Sequence, residues 1–301
     1  MKNKWVADLG LLGVAFIWGT TFVVVQDAIN LIPPLSFNGW RFLAAALFLY
    51  VGFIIFSKKK RFPLKLPLLL NGVLLGSLLF IGYATQTIGL KYTSSSKVAF
   101  ITGLSVVLVP FFSWIIFRHT PKWTAIIGVI FSTTGLYLLA MLKTVEVNQG
   151  DLLAFICALA FGLHIVITDR VTRSFSSAQL TMIQLLTVSL FSFLSGFFID
   201  GFKTTISLLP FMKPMVLFAC LFTALFATAV AYFLQTSLQR FTSPTHVGII
   251  FIMEPVFAGL TATVWEHESM TLAAKIGAAL IVCGMLLAEW PTKKKIKSLD
   301  S

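Results

Sequence analysis

The residues of this chain that could do chemistry are few, and most lie inside long apolar runs. Glu254 stands near the middle of one run and is followed by Pro255. A carboxyl at that depth can bind a cationic group or carry a proton; the alternative is a carboxyl hydrogen-bonded to a neighbouring helix. The proline removes a backbone donor and frees a carbonyl, which opens the helix locally. Arg41 lies about two turns into another run. Its guanidinium can clamp a carboxylate through two parallel hydrogen bonds, or it can snorkel or join a structural ion pair. His164 offers a proton acceptor or ligand, with a simply hydrogen-bonded histidine as the plainer reading. Tyr83 with Gln86, and Tyr232 with Gln235, are spaced three apart, so each phenol and amide share a helix face. Such groups can bind a polar metabolite or bond helix to helix. Trp18, Thr21 and Phe22 supply an aromatic wall with one hydroxyl, or ordinary packing. Lys97 and His246 read as interfacial groups, with gating as the second choice.

The elements that must position these residues follow from composition. Of 301 residues, 57% are apolar and only 11% charged, and mean hydropathy is +0.92. So few charges cannot cover a soluble globule, which carries roughly 25%. This composition argues against an ordinary cytosolic enzyme, a nucleic-acid-binding domain and a disordered chain. Cys157, Cys220 and Cys283 sit in apolar runs without metal-ligand spacing and read as small hydrophobes. No cofactor is expected.

A bilayer core needs about 20 apolar residues per spanning helix. The sequence offers ten such stretches, near 5–25, 35–56, 67–90, 95–117, 123–142, 151–169, 177–199, 212–238, 244–265 and 271–290. With the N-terminus on the cytoplasmic side, that side collects Lys2, Lys4, Lys58 to Arg61, Arg170, Arg173 and Lys293 to Lys295. The other side holds fewer cations, chiefly Lys91, Lys97, Lys143, Lys203, Lys213 and Lys275. This bias predicts both termini in the cytoplasm of a multi-pass cytoplasmic-membrane protein. The basic clusters at Lys58 to Arg61 and Lys293 to Lys297 read as topology signals in contact with anionic lipid.

The chain also repeats itself. Asp8, Ala15, Gly19 and Val23 match Asp151, Ala158, Gly162 and Val166 at an offset of about 143. Further on, Tyr83, Gln86, Ser94, Gly128 and Gly135 match Tyr232, Gln235, Ser243, Gly277 and Gly284 at about 149. Arg41 then falls on Gln184, and Lys97 on His246. Five spans per unit is an odd number, so the second unit must enter the membrane from the opposite side, as in many alternating-access transporters. The expected fold is all-α: ten transmembrane helices as two inverted five-helix repeats, residues 5–142 and 150–290.

At this point a resemblance is visible. Trp18-Gly19-Thr20-Thr21-Phe22 resembles the opening motif of the drug/metabolite transporter superfamily, EamA type. Arg41 with Leu43 and Ala45 is similar to its second-span pattern, and Gln86 through Gly89-Leu90-Lys91-Tyr92-Thr93 to its third-to-fourth span junction. Pro110, Glu254-Pro255-Val256-Phe257, and Glu268 followed by Gly277 and Gly284 match later positions, with His119 standing opposite Glu268 in the first unit. The resemblance runs from about residue 6 to 290. It implies ten helices around a central cavity, and transport of small metabolites, often export of amino acids or related compounds.

The competing reading is a membrane-embedded enzyme acting on lipid or peptide. It would call for a nucleophile with a base, or clustered metal ligands, and no H-E-x-x-H or G-x-S-x-G occurs. No nucleotide-binding loop is present either. A secondary transporter or facilitator is therefore expected, with Trp18, Thr21, Phe22, Arg41, Tyr83, Gln86, His164, Tyr232, Gln235 and Glu254 facing the substrate. Its partners would be a small molecule and membrane lipid, not nucleic acid. A monomer suffices to enclose a cavity, and a dimer is compatible.

Overall fold

A computed structural model describes residues 2–56, 64–118, 120–140, 148–265 and 271–289. The first half forms α1 (Lys2–Ile29), α2 (Pro34–Phe56), α3 (Leu66–Gly89), α4 (Ser95–Gly103), α5 (Ser105–Phe117) and α6 (Trp123–Ala140). The second forms α7 (Gln149–Val171), α8 (Ser177–Ile199), the short α9 (Phe202–Ile206), α10 (Pro214–Phe222), α11 (Ala231–Leu238), α12 (Pro244–Phe251), α13 (Met253–Trp265) and α14 (Leu272–Glu289). No strand occurs among the described residues. Among the described residues eight helical stretches are long and apolar enough to cross a bilayer, and the shorter apolar helices Trp123–Leu139 and Leu272–Ala288 bring the set to ten. The chain is an all-α, multi-pass membrane protein, in which helices satisfy their backbone groups internally. Lys58 to Arg61, His119, Glu268 and Lys293 to Lys297 lie outside the described residues, as do the expected unit ends at 142 and 290.

Helix starts follow from local chemistry. Proline opens α2, α10 and α12, where its missing N–H is no loss. Ser94 and Ser243, one in each repeat, accept the backbone N–H of Lys97 and His246, each at 3.3 Å. Caps of this kind are worth about 0.5–2 kcal/mol. Asn148 and Asp151 close a reciprocal capping box at the start of α7.

Three spans that the sequence presents as continuous are interrupted. The fourth turns at Leu104 between α4 and α5, and the ninth at Ile252 between α12 and α13, almost equivalent positions. In the ninth, Pro255 has no N–H and crowds the carbonyl of Phe251, four residues back. The eighth span passes from α10 into a π-helical stretch, Thr223–Val230, before α11. Such wide turns occur often at functional sites.

The packing obeys the repeat. α6 lies on α14, α2 on α8, α3 on both α7 and α8, and α1 on α13. Replacing each helix by its equivalent returns contacts of the same bundle. The α3–α7 contact becomes α1–α11, α3–α8 becomes α2 on the π stretch, and α1–α13 becomes α7 on α4 and α5. Helices packed against their own equivalents run antiparallel. Gly128 meets Gly284 where Gly135 meets Gly277, and Gly39 meets Phe193 where Leu35 meets Gly196. The two units are therefore inverted about an axis between them. Gly72 and Gly76 let α3 close onto Ile183 and Thr187 of α8, the small-residue packing that membrane helices rely on.

Candidate functional site

One cavity lies between the units, and Trp18, Thr21, Phe22, Arg41, Tyr83, Gln86, His164, Tyr232, Gln235 and Glu254 all line it. α1, α2, α3, α7, α11 and α13 each contribute. Helical periodicity explains the convergence: Trp18, Thr21, Phe22 and Val25 share one face of α1, and Leu79, Tyr83, Gln86 and Leu90 one face of α3. The cavity has a volume of ≈ 80 Å³, and polar and apolar side chains both line it.

The lining is built in equivalent pairs. Trp18 corresponds to Phe161, Thr21 to His164, Phe22 to Ile165, Tyr83 to Tyr232, Gln86 to Gln235 and Ser105 to Glu254, and every one of these lines the cavity. Tyr232 Oη donates to Tyr83 Oη at 2.9 Å, so the two equivalent phenols meet on the pseudo-axis. Their helices are held alike. Asn38 Nδ2 donates to the Tyr83 carbonyl at 3.3 Å, and its equivalent Thr181 donates to the Tyr232 carbonyl at 3.5 Å.

Charge breaks the symmetry. Arg41 has neutral Gln184 as its equivalent, and Glu254 has Ser105. Arg41 is 3% exposed, lies over the rings of Phe42 and Tyr83, and donates Nε–H to Thr228 Oγ1 at 2.8 Å. Among the described residues no carboxylate forms an ion pair with it. Glu254 sits in the first turn of α13, half-buried, and no described residue hydrogen-bonds its carboxylate. Gly19 lets α1 approach it closely, because a Cβ there would run into the Glu254 carbonyl and Phe257. Gln235 is buried with its Oε1 unpaired, an acceptor left over in the wall. Buried polar atoms are normally paired.

The remaining residues divide between support and lining. His164 Nε2 lies 2.9 Å from Gln184 Oε1 and 3.4 Å from Thr168 Oγ1, so the hydrogen-bonded histidine is what the fold contains, at the edge of the cavity. Trp18 donates Nε1–H to the Ala227 carbonyl at 2.8 Å and packs edge-on to Phe251. Thr21 spends its hydrogen on the Trp18 carbonyl of its own helix, which leaves its lone pairs free to accept. Phe22 also belongs to an apolar cluster with Val25, Ala28 and Ile29.

Lys97 and His246, read from the sequence as interfacial, lie at the two ends of the bundle. Both are largely buried and face an aspartate of the other unit: Lys97 Nζ is 2.6 Å from Asp151, and His246 Nε2 is 3.8 Å from Asp8. The pairs are repeat equivalents. One lies at the α3–α4 end of the bundle, the other at the α11–α12 end. Sequence reading matched Asp8 with Asp151 but did not pair either one across the units, because the partners are far apart in the chain. Thr228 and Asn38 were also missed. Nothing in an Ala- and Thr-rich stretch announces a π-helix.

The cavity favours one end. Val25, Thr87, Leu90 and Ala99 line it, whereas their equivalents Thr168, Thr236, Gln239 and Gly248 do not. At that second end Gln239 Nε2 donates to the Ile165 carbonyl, and Leu11, Val14, Val106, Val109, Val247 and Ile250 pack solidly.

A bundle of ten apolar helices in two inverted units, with a polar cavity on the axis between them, defines a membrane transporter. The family profile described as the EamA-like transporter family matches residues 5–141 and 148–290, and the chain belongs to that family. An uncharacterized transporter of Archaeoglobus fulgidus is 34% identical over 282 residues, covering 93% of this chain and 85% of that one. The uncharacterized transporter YvbV of Bacillus subtilis is 26% identical over 285 residues, 93% and 90% of the two chains. A protein of Chlamydia muridarum named S-adenosylmethionine/S-adenosylhomocysteine transporter is 25% identical over 289 residues, 91% and 89%. A crystal structure of 16% identity superposes with a TM-score of 0.77 over 95% of this chain and 97% of that one, which concerns the fold alone.

Proposed function

We propose that this protein carries small zwitterionic metabolites, amino acids or compounds built on them, out of the cell by alternating access. One observation carries the reading: a single cavity holds Arg41 and Glu254, oppositely charged residue types, each replacing a neutral equivalent. Arg41 receives the carboxylate of the substrate. Glu254, with the spare Gln235 acceptor, receives its ammonium group. Trp18, Phe22, Tyr83 and Tyr232 flank the apolar part, with Thr21, Gln86 and His164 as polar contacts. The ligands named for the Chlamydia muridarum relative also join an amino-acid end to an aromatic ring.

Alternating access is favoured by the inverted repeat together with a cavity that reaches toward one end only. In the opposite state the two units, 5–142 and 150–290, exchange roles, and Thr168, Gln239 and Gly248 become lining. The charge bias of the connections supports insertion in the cytoplasmic membrane with both termini inside. A single chain encloses the cavity, so a monomer is sufficient.

The test is efflux from liposomes containing the purified protein and loaded with a mixture of amino acids, the corresponding amines and the corresponding carboxylic acids. Wild type should release the zwitterions. Arg41→Ala should slow those bearing a carboxylate, and Glu254→Gln those bearing an amine, each by about tenfold or more, as losing a charged hydrogen bond entails. Equal release of all three classes by wild type and both variants would remove the zwitterion reading.

A further inference from the structure

Arg41 is held by a residue outside the set expected from the sequence. Its Nε–H is donated to Thr228 Oγ1 at 2.8 Å, with both side chains buried. The single hydrogen of the Thr228 hydroxyl is itself donated to the Thr223 carbonyl, five residues back, also at 2.8 Å. Thr228 therefore faces Arg41 as an acceptor only. The π-helical stretch makes this possible, because its i to i+5 spacing brings the carbonyl of residue 223 beneath residue 228. Next to it, the Ala227 carbonyl is fixed by Trp18 Nε1 at 2.8 Å. The guanidinium is further confined by the rings of Phe42 and Tyr83, 5.5 and 5.2 Å from its carbon.

A guanidinium has five N–H donors. The one on Nε is committed to Thr228, and the others belong to Nη1 and Nη2. We infer that Thr228 is a positioning residue: it turns Arg41 so that the Nη1–Nη2 edge, not the Nε side, meets an anionic group of the transported molecule. The repeat agrees with this assignment. Thr228 has Leu79 as its equivalent, and Arg41 has Gln184, so the hydroxyl occurs only in the half that carries the cation. The inference rests on the reading that Arg41 receives the substrate carboxylate.

The experiment compares concentration-dependent uptake into proteoliposomes of wild type, Thr228→Val, Thr228→Ser, Arg41→Gln and the Arg41→Gln/Thr228→Val double variant. The probes are the proteinogenic L-amino acids and S-adenosylhomocysteine, quantified by mass spectrometry. Thr228→Val should raise KM for the carried probes about tenfold, the equivalent of about 1.4 kcal/mol, with kcat within about twofold. Thr228→Ser should restore KM, and Thr228→Val should add nothing in the Arg41→Gln background. An unchanged KM in Thr228→Val, a serine that fails to restore it, or an equal further loss in the double variant overturns the inference. Should Thr228→Val not elute as a folded protein, Thr228→Ala carries the same comparison. If wild type carries no probe, or Arg41→Gln matches wild type, the underlying reading of Arg41 fails first and takes the inference with it.

Discussion

Gly135→Ala is a demanding test of the inverted architecture, because α6 and α14 touch there backbone to backbone. A Cβ at Gly135 would lie 2.5 Å from the Gly277 carbonyl oxygen, 2.8 Å from Ile281 N and 2.9 Å from Leu280 Cβ. Ordinary contact begins near 3.4 Å, so the helices must separate by about 0.9 Å. None of the three atoms belongs to a flexible side-chain end, so no rotamer change relieves the clash. Overpacking of this kind costs about 1–3 kcal/mol. Alanine also returns up to about 1 kcal/mol of helix propensity. Gly13→Ala isolates that second effect, because a Cβ there meets nothing within 4 Å. The two variants should therefore differ by about 1–3 kcal/mol, or roughly 2–6 °C in melting midpoint at about 2 °C per kcal/mol. The assay is thermal unfolding in detergent of both variants in a Cys283→Ser background, which removes the exposed thiol, followed by a thiol-reactive dye that reports exposure of the buried Cys157 and Cys220. If Gly135→Ala melts as high as Gly13→Ala, the antiparallel α6–α14 contact is wrong.

Two further outcomes follow from the ends of the bundle. In a background without native cysteines, Leu90→Cys and Ala99→Cys should react with an impermeant thiol reagent from one side of the membrane, and Gln239→Cys and Gly248→Cys from the other. Reaction of all four from the same side would rule out exchange of roles between the units. Lys97→Met should destabilise the fold by about 1 kcal/mol, because the Lys97–Asp151 pair lies at the end of the bundle and Asp151 keeps its hydrogen bond from the Asn148 N–H. In an Asp151→Asn background, whose amide oxygen can still accept from the Asn148 N–H, Lys97→Met should cost much less in the same melting assay, and an equal cost in both backgrounds would mean that the charges do not interact.

Much of the architecture is legible in the chain because the bilayer imposes it. Span length follows from a rule that acts locally along the sequence, and the Gly and polar matches between halves follow from comparing the chain with itself. The cavity lining is legible for a related reason: polar side chains are costly toward lipid, so Arg41, Gln86, Gln235 and Glu254 turn inward wherever they occur. The interruptions are harder to see. Pro255 marks the break at Ile252, but Pro110 lies well past the matching break at Leu104. The π stretch leaves no mark, because Thr223 to Val230 has the composition of an ordinary span. Partnerships between units, such as Lys97 with Asp151, depend on how two bundles dock and are invisible to any local rule.

The contact between Tyr83 and Tyr232 has one more implication. A shared proton cannot itself obey the twofold relation that joins the two phenols: one must give it and the other take it. The midpoint of the protein thus carries a direction even where its scaffold carries none. Under the proposed exchange of roles between the units, the surroundings of the two rings exchange as well, and the proton's allegiance reverses with them.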